Sequence, residues 1–230
     1  MLAIAWKEFL SLFKSIKSIF IVLILISVSL GVAKIFSVFG DDLTNSLGIK
    51  ETPFSAGLLL TVLIASPLFV FTLSHNIINE ELKNRTVRFL ATKTSRFNIL
   101  VGKFIGSLLF WTACLLLTTL LLIWYSHQFY ILEFLQCVIF VSYYLALSTL
   151  LSTFINSTLL TNFLGITLSL VMTVLGLWSL NSKNLLLIIY SYITPYHYYF
   201  SDNKIISFTV VIFTIIFLTI SIYFFRRKDL

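Results

Sequence analysis

The run Ile19-Phe-Ile-Val-Leu-Ile-Leu-Ile26 decides the fold class of this chain, because it is apolar at every position. A half-buried strand or surface helix of a water-soluble protein would show polar residues at a regular period. The absence of alternating polar residues also excludes a strand of a membrane β-barrel. A helix needs roughly 20 apolar residues to cross a hydrocarbon core about 30 Å thick. The stretch therefore predicts a membrane-spanning helix over 19–39, with Lys34 near one end.

Composition extends this interpretation to the whole chain of 230 residues. Hydrophobic residues make up 59% and charged residues 11%, and the mean hydropathy is +1.01. Soluble domains carry roughly 25% charged residues, because their surface must be wetted. We therefore expect one membrane domain over 1–230. Cys114 and Cys137 lie in apolar runs without metal-ligand spacing, and we interpret them as packing residues that bind no metal.

Further apolar runs of sufficient length predict an all-α polytopic protein with six transmembrane helices. A charge-free run of about 20 residues is the criterion for each, apart from Lys34 in the first. The expected spans cover 19–39, 54–73, 104–125, 134–155, 158–180 and 205–225.

The distribution of lysine and arginine predicts the orientation. Cytoplasmic loops are enriched in these residues. With both ends in the cytoplasm, that side receives the basic residues of 7–17, of 83–103 and of 226–228. The other side keeps Lys34, Lys50, Lys183 and Lys204. The net charge of +7 is thus a topology signal, and no nucleic-acid partner is needed to explain it. The expected location is the cell membrane, as a multi-pass protein of bacterial type.

The segment before the first span, residues 2–18, has the pattern of an amphipathic helix. Such a helix lies in the membrane interface, with aromatic residues towards lipid and basic residues towards water. We assign Trp6 and Phe13 to the first role and Lys7 and Lys14 to the second. The alternative is an ordinary cytoplasmic extension of the first span. The expected apolar face comprises Leu2, Trp6, Phe9, Leu10, Phe13 and Ile16.

A short apolar piece, 185–193, stands between the fifth and sixth spans. It is too short to cross a bilayer, which favours a re-entrant or interfacial segment. The tyrosine-rich stretch Tyr190–Phe200 surrounds Pro195, and such aromatic density is typical of the headgroup level. A part of this stretch in cargo exit is an open possibility.

The cytoplasmic connection between the second and third spans carries the functional argument. It contains Asn79-Glu-Glu-Leu-Lys-Asn-Arg-Thr-Val-Arg-Phe-Leu90. Ile78, Leu82 and Phe89 follow helical spacing, which predicts a short amphipathic helix that a protein partner can grip. After a polar break, Ser95 is the expected N-cap of the third span.

This connection resembles that of the membrane subunits of type 2 ATP-binding cassette (ABC) exporters. In that family a Glu, a Gly-Thr pair, an apolar pair, a Pro-x-Ser-Arg turn and a Gly-Lys pair follow one another. The chain departs from the pattern at Arg85, where Gly is usual, and at Lys93, where Pro is common. The number, spacing and order of the predicted segments match the family over nearly the whole chain. The matching positions are Glu81, Thr86, Phe89-Leu90, Thr94-Ser95-Arg96 and Gly102-Lys103.

The resemblance implies a coupling helix that docks on a separate ATPase subunit. It implies two such nucleotide-binding subunits and a second permease, either identical or related. Gly102-Lys103 lacks the first Gly and the Ser/Thr of a phosphate-binding loop, since Phe97 and Phe104 stand there. We therefore expect no enzyme activity and no cofactor in this chain, with ATP and Mg²⁺ bound by the partner. The coupling residues implied are Glu81, Arg85, Thr86, Arg88, Phe89 and Leu90.

The expected function is ATP-driven export of a hydrophobic or amphiphilic cargo, such as a peptide, an antibiotic or a lipid-like molecule. The expected spans contain no carboxylate, so sugars and ions fit less well.

Three other functions remain open on the sequence. Glu80-Glu81-x-x-x-Arg85 fits the signature of glutamic intramembrane proteases, with His127 and His197 as the histidines that such chemistry needs. An ion-coupled transporter or channel would keep ionisable groups near the middle of the membrane. A non-transporting immunity or scaffold protein would bind another membrane protein instead.

Overall fold

The computed structural model describes residues 1–47, 53–83, 94–201 and 203–227, and these residues form helices without any strand. The six longest helices are α2, α3, α5, α6, α7 and α10, and a 3₁₀ helix over Lys204–Thr209 leads into α10. The helices are α1 Leu2–Lys14, α2 Ile16–Leu47, α3 Pro53–Ser74, α4 Asn79–Lys83, α5 Arg96–Ser126, α6 Ile131–Phe154, α7 Thr158–Ser179, α8 Leu185–Ile193, α9 Tyr196–Tyr199 and α10 Val210–Arg227.

Within the described ranges, six helices are long and apolar enough to cross a membrane. The predicted all-α polytopic fold is thereby confirmed. Several helices run beyond the charge-free stretches, since a helix does not end where hydrocarbon ends. The helix of the third span begins at Arg96 and not near Phe104. Its N-cap is Ser95, as predicted, and the Ser95 hydroxyl accepts a hydrogen bond from the Asn98 amide at 3.3 Å.

The predicted single helix over 2–18 divides into two helices at Ser15. This residue adopts an extended conformation with φ −76° and ψ 125°, so the amide of Ser15 still bonds to Leu12 but the helix direction changes. Residues Ile16 to Ser18 belong to α2 and not to the interfacial helix. Helix α1 is therefore a separate body joined to the first span by one non-helical residue.

Helices α3 and α6 lie at the centre of the bundle. Helix α3 packs against α2, α6 and α7, while α6 also packs against α5 and α10. Their interface is rich in aromatic rings, and the Phe71 and Tyr144 ring centroids lie 6.4 Å apart. The outer helices α2, α7 and α10 are the least buried of the six. Their exposed leucine, isoleucine and phenylalanine side chains suit a surface that faces lipid.

Helix α1 packs closely along the first turns of α5. The spacing Gly102-x-x-x-Gly106 places two residues without side chains on one face of α5. A Cβ built on Gly106 would lie 2.8 Å from the Glu8 Cβ and still closer to the Ala5 carbonyl oxygen, and one on Gly102 would lie 3.1 Å from the Met1 carbonyl oxygen. Small residues at this spacing allow two helix backbones to approach in a membrane. Glycine at 106 thus holds α1 on the third span.

Helices α8 and α9 insert an aromatic side chain into the bundle. Tyr196 is fully buried, and its hydroxyl lies 3.0 Å from the Leu63 carbonyl oxygen and 3.1 Å from the Thr173 hydroxyl. Thr173 lies about two turns before the end of α7. Gly176 makes the space, because a Cβ there would lie 2.6 Å from Cε2 of the Tyr196 ring. The short apolar piece is therefore helical and leaves most of its apolar side chains exposed, while the adjoining α9 is anchored in the bundle by Tyr196.

Replacing Gly106 by alanine should loosen α1 from α5. The added methyl group meets backbone atoms of α1, which cannot rotate away, and overpacking of this kind costs about 1–3 kcal/mol. We expect a lower melting temperature in detergent. Gly31→Ala is the matched control, since nothing lies within 4 Å of a Cβ at Gly31, and it should melt at or slightly above the wild-type temperature. Equal melting of both variants would contradict the close contact.

Replacing Tyr196 by phenylalanine should destabilise the segment between the fifth and sixth spans. The substitution removes the donor to the Leu63 carbonyl or the Thr173 hydroxyl in a buried place, which costs about 1–3 kcal/mol. We expect faster proteolysis or hydrogen exchange over α8 and α9. Tyr192→Phe, at an exposed residue of the same segment, should leave both rates unchanged.

Candidate coupling site

The candidate site begins where the second span gives way to the connection that follows it. After α3, residues His75 to Ile78 form a turn, and α4 covers Asn79–Lys83. Glu80 points to the exposed side, where it accepts a hydrogen bond from the Asn76 side-chain amide at 2.6 Å. The neighbouring Glu81 is turned towards the bundle. The two adjacent glutamates thus have different environments.

Lys103 of α5 is the charge towards which Glu81 turns. The residue is 4% exposed. Its Nζ lies 3.1 Å from Oε1 of Glu81, 3.3 Å from Oε2 of Glu8 and 2.7 Å from the Ile77 carbonyl oxygen. The ammonium group therefore joins α1, the turn before α4, and α4 itself to the third span.

The three contacts match the bonding capacity of the lysine. An ammonium group has three hydrogen-bond donors and no acceptor, and here it has three oxygen acceptors. A buried charge is tolerated where it is paired and fully hydrogen-bonded, and removal of one partner costs about 3–5 kcal/mol. The arrangement is therefore sensitive to any shift of Glu8 or Glu81 relative to Lys103.

Asn79 ties the other side of α4 to the hairpin between the fourth and fifth spans. Its Oδ1 accepts a hydrogen bond from the Ser152 hydroxyl at 2.7 Å, and its Nδ2 donates to the Thr161 hydroxyl at 2.5 Å. The same Ser152 oxygen accepts the backbone amides of Ile78 and Asn79 at 3.0 and 3.2 Å. Buried networks in which each member has a partner fix geometry. Movement of α4 must therefore involve α6 and α7 as well.

The far end of the same connection is attached to the last span. Arg96, the first residue of α5, donates from Nη1 to the Arg226 carbonyl oxygen at 2.7 Å. A cation at the C-terminal end of a helix satisfies a free carbonyl and complements the helix dipole. The Arg226 guanidinium lies 6.0 Å from the Phe97 ring centroid. Both ends of the connection that the structure describes are thus bound to spans.

The predicted coupling residues fall mostly outside the described part of the connection. Glu81 lies in α4, where it pairs with Lys103. The side chain of Phe13, predicted to share the interfacial face, instead packs on Phe110 with ring centroids 4.9 Å apart. Trp6, Lys7 and Lys14 are exposed. Outside the described residues lie Arg85, Thr86, Arg88, Phe89 and Leu90.

No sequence motif assigns a role to Glu8, Asn79, Ser152 or Thr161. Glu8 is the single acid of α1 and lies on the polar side of the predicted amphipathic helix, so only the packing of α1 on α5 reveals its contact with Lys103. The small-x-x-x-small spacing of Gly102 and Gly106 was also available as a packing signal. Ser152 and Thr161 carry no such signal, because hydroxyl residues are common in membrane helices and usually bond to their own backbone.

The histidines that a glutamic protease would need are not near the glutamates. His127 caps the C-terminal end of α5, and at 1.5 Å per residue it lies roughly 36 Å along the helix from Lys103 and hence from Glu81. His197 lies in α9, with its ring 4.5 Å from that of Tyr192. Glu81 is engaged in an ion pair and not aimed at either histidine. This arrangement does not assemble the proposed proteolytic site.

In a comparison with protein-family models, residues 2–230 match the family described as ABC-2 family transporter protein. A search of the curated proteins finds no match to the chain. The matched range includes α1, all six spans and the connection that carries Glu81. It agrees with the resemblance inferred from the sequence motif. The chain belongs to the ABC-2 family of transporter proteins, as a multi-pass permease component of an ABC transporter.

Proposed function

We propose that this permease exports a hydrophobic or amphiphilic cargo and is driven by a separate ATPase subunit that docks on the connection between α3 and α5. The transporter has two ATPase subunits and two permease subunits, the latter identical or related. ATP and Mg²⁺ bind to the ATPase subunits. The permease chain itself transmits the movement of the ATPase to the spans and forms the path that the cargo takes.

The Lys103 cluster is the observation that carries this proposal. A partner that displaces the connection acts first on α4, and α4 is bonded to α1 and α5 through Glu81 and Lys103. It is bonded to α6 and α7 through Asn79. Packed helices and hydrogen-bonded networks shift as units and not by continuous deformation. A push on α4 therefore reaches four helices at once, as a coupling element requires.

The charges at the two ends of the bundle support a cytoplasmic position for this cluster. The end with α4 carries Arg96, Arg226 and Arg227, in addition to Lys103, which is paired with Glu8 and Glu81. The other end has the ion pair of Lys204 and Glu133 at 2.9 Å, which neutralises one of its lysines. The excess of positive charge lies with α4, on the side that remains in the cytoplasm.

The proposed cargo class rests on the polarity of the spans. Their buried polar side chains are chiefly serine and threonine, and many bond to the carbonyl one turn earlier, as Thr118 does to Cys114 at 2.9 Å. Such walls offer few fixed charges to a sugar or an ion. A molecule with a large apolar surface loses less hydration on entering this environment.

Glu81→Gln should uncouple transport, whereas Glu80→Gln should not. The first change leaves the buried Lys103 with one carboxylate fewer, while the second affects an exposed residue. We expect at least a tenfold loss of cargo-stimulated ATP hydrolysis in vesicles that contain the permease and its ATPase. Expression and membrane insertion should be equal for the two variants. Uncoupling by Glu80→Gln alone would contradict the proposed role of the cluster.

Arg88→Glu should abolish transport-coupled ATP hydrolysis without affecting insertion. Charge reversal on the docking surface repels a complementary partner and leaves the spans untouched. The matched control is Lys183→Glu, which changes an exposed lysine outside the connection. Co-purification of the ATPase with each variant measures docking directly. Retention of the ATPase by Arg88→Glu, with normal transport, would place the contact elsewhere on the permease.

Reaction of a cysteine placed at Arg88 with an impermeant thiol reagent tests the orientation. We expect labelling in inside-out vesicles and protection in intact cells. A cysteine at Lys183 should show the reverse pattern. Labelling of Arg88→Cys in intact cells would overturn the proposed topology.

A further inference from the structure

Helix α1 has three distinct faces. Ala5 and Glu8 face α5, with Ala5 buried against Gly106 and Glu8 paired with Lys103. A second face, with i, i+4 spacing, leaves large apolar side chains exposed. A third face, beside the second, carries Lys7 and Lys14, which are one heptad apart and therefore on the same side of the helix. The exposed apolar side chains are Leu2 at 81%, Trp6 at 60% and Leu10 at 37%.

The charge of α1 is sorted between these faces. Glu8 is the single acid of the helix and is turned inward, where Lys103 neutralises it at 3.3 Å. The outward surface of α1 therefore carries positive charge alone. Lys17, just after the break at Ser15, is also exposed and adds to the same basic region. No acidic residue of α1 remains to repel an anion.

We propose that the outward surface of α1 is a binding surface for anionic phospholipid, with Lys7 and Lys14 on the headgroup phosphates and Leu2, Trp6 and Leu10 among the acyl chains. Basic residues beside an exposed aromatic and aliphatic stripe are the pattern by which interfacial helices select anionic membranes. Because α1 is fixed to α5 at Gly106 and to Lys103 through Glu8, the bound lipid contacts the same body that carries the coupling cluster. This inference needs no ATPase and does not depend on the proposed cargo.

Quenching of tryptophan fluorescence by brominated lipid tests the surface in the full chain. The protein is placed in nanodiscs of phosphatidylcholine and phosphatidylglycerol, with bromine on the chains of one lipid or the other. The contribution of Trp6 is obtained by difference with Trp6→Phe. That of Trp178, which is similarly exposed at 64% near the other end of the bundle, is obtained with Trp178→Phe. We expect phosphatidylglycerol to be enriched about threefold to tenfold over its bulk fraction at Trp6 and to be near its bulk fraction at Trp178.

Charge variants distinguish binding of phosphatidylglycerol by the lysines from random contact of Trp6 with the surrounding lipid. Lys7→Gln/Lys14→Gln should abolish the enrichment at Trp6, and Lys183→Gln should preserve it. High salt should reduce the enrichment, since the attraction is screened. The proposal would be overturned if brominated phosphatidylglycerol quenched Trp6 only as much as its bulk fraction in the nanodisc predicts. It would also be overturned if the enrichment at Trp6 survived the loss of both lysines.

Competition with soluble glycerol phosphate distinguishes a lipid surface from a small-anion site. At millimolar concentration it should leave the enrichment unchanged, because it lacks the acyl chains that contact Leu2 and Trp6. Displacement of the lipid by glycerol phosphate would identify a free-phosphate site and contradict the inference. If the enrichment is found but Glu81→Gln still supports coupled transport, the lipid surface stands and the coupling proposal fails.

Discussion

The inability of hydrocarbon to form hydrogen bonds governs the architecture of this chain. Each backbone amide and carbonyl that crosses the bilayer must be bonded within its own segment, so every crossing segment is a helix. The same constraint acts on side chains. Threonine hydroxyls in the spans return to the preceding turn, as Thr61 does to the Gly57 carbonyl oxygen at 2.8 Å. Polar groups that bond between helices are therefore concentrated near helix ends or around inserted segments.

Two such regions stand out among the residues that the structure describes. Around α4, Lys103 and Asn79 connect the second span to α1 and to the third, fourth and fifth spans. Around α9, Tyr196 connects the short helices to the third, sixth and seventh helices of the chain. A bundle held by polar contacts at separated levels, with apolar packing between them, can exchange one set of contacts while the other persists.

The apolar runs predicted the number and type of the spans, because hydrophobic length is a direct consequence of bilayer thickness. They did not predict the start of α5 at Arg96 or the break at Ser15, since both lie in polar sequence where backbone conformation is set by local bonding. The motif predicted Glu81 as a coupling residue, and the structure places it against Lys103. Glu8, the other carboxylate on Lys103, lies far from Glu81 in sequence, and only the packing of α1 along α5 brings the two carboxylates to one lysine. The pairing of Asn79 with Ser152 and Thr161 likewise depends on the arrangement of helices that no local pattern encodes.

The extended residue Ser15 has a mechanical consequence. Helix α1 is held to the third span through glycine contacts and an ion pair, while a single non-helical residue links it to the first span. If the third span tilts, α1 is carried with it, and Ser15 is the pivot that converts the tilt into a pull on the start of the first span. The first and third spans, which are not consecutive in the chain, would then move together, and the length of α1 would set how far the start of the first span is displaced.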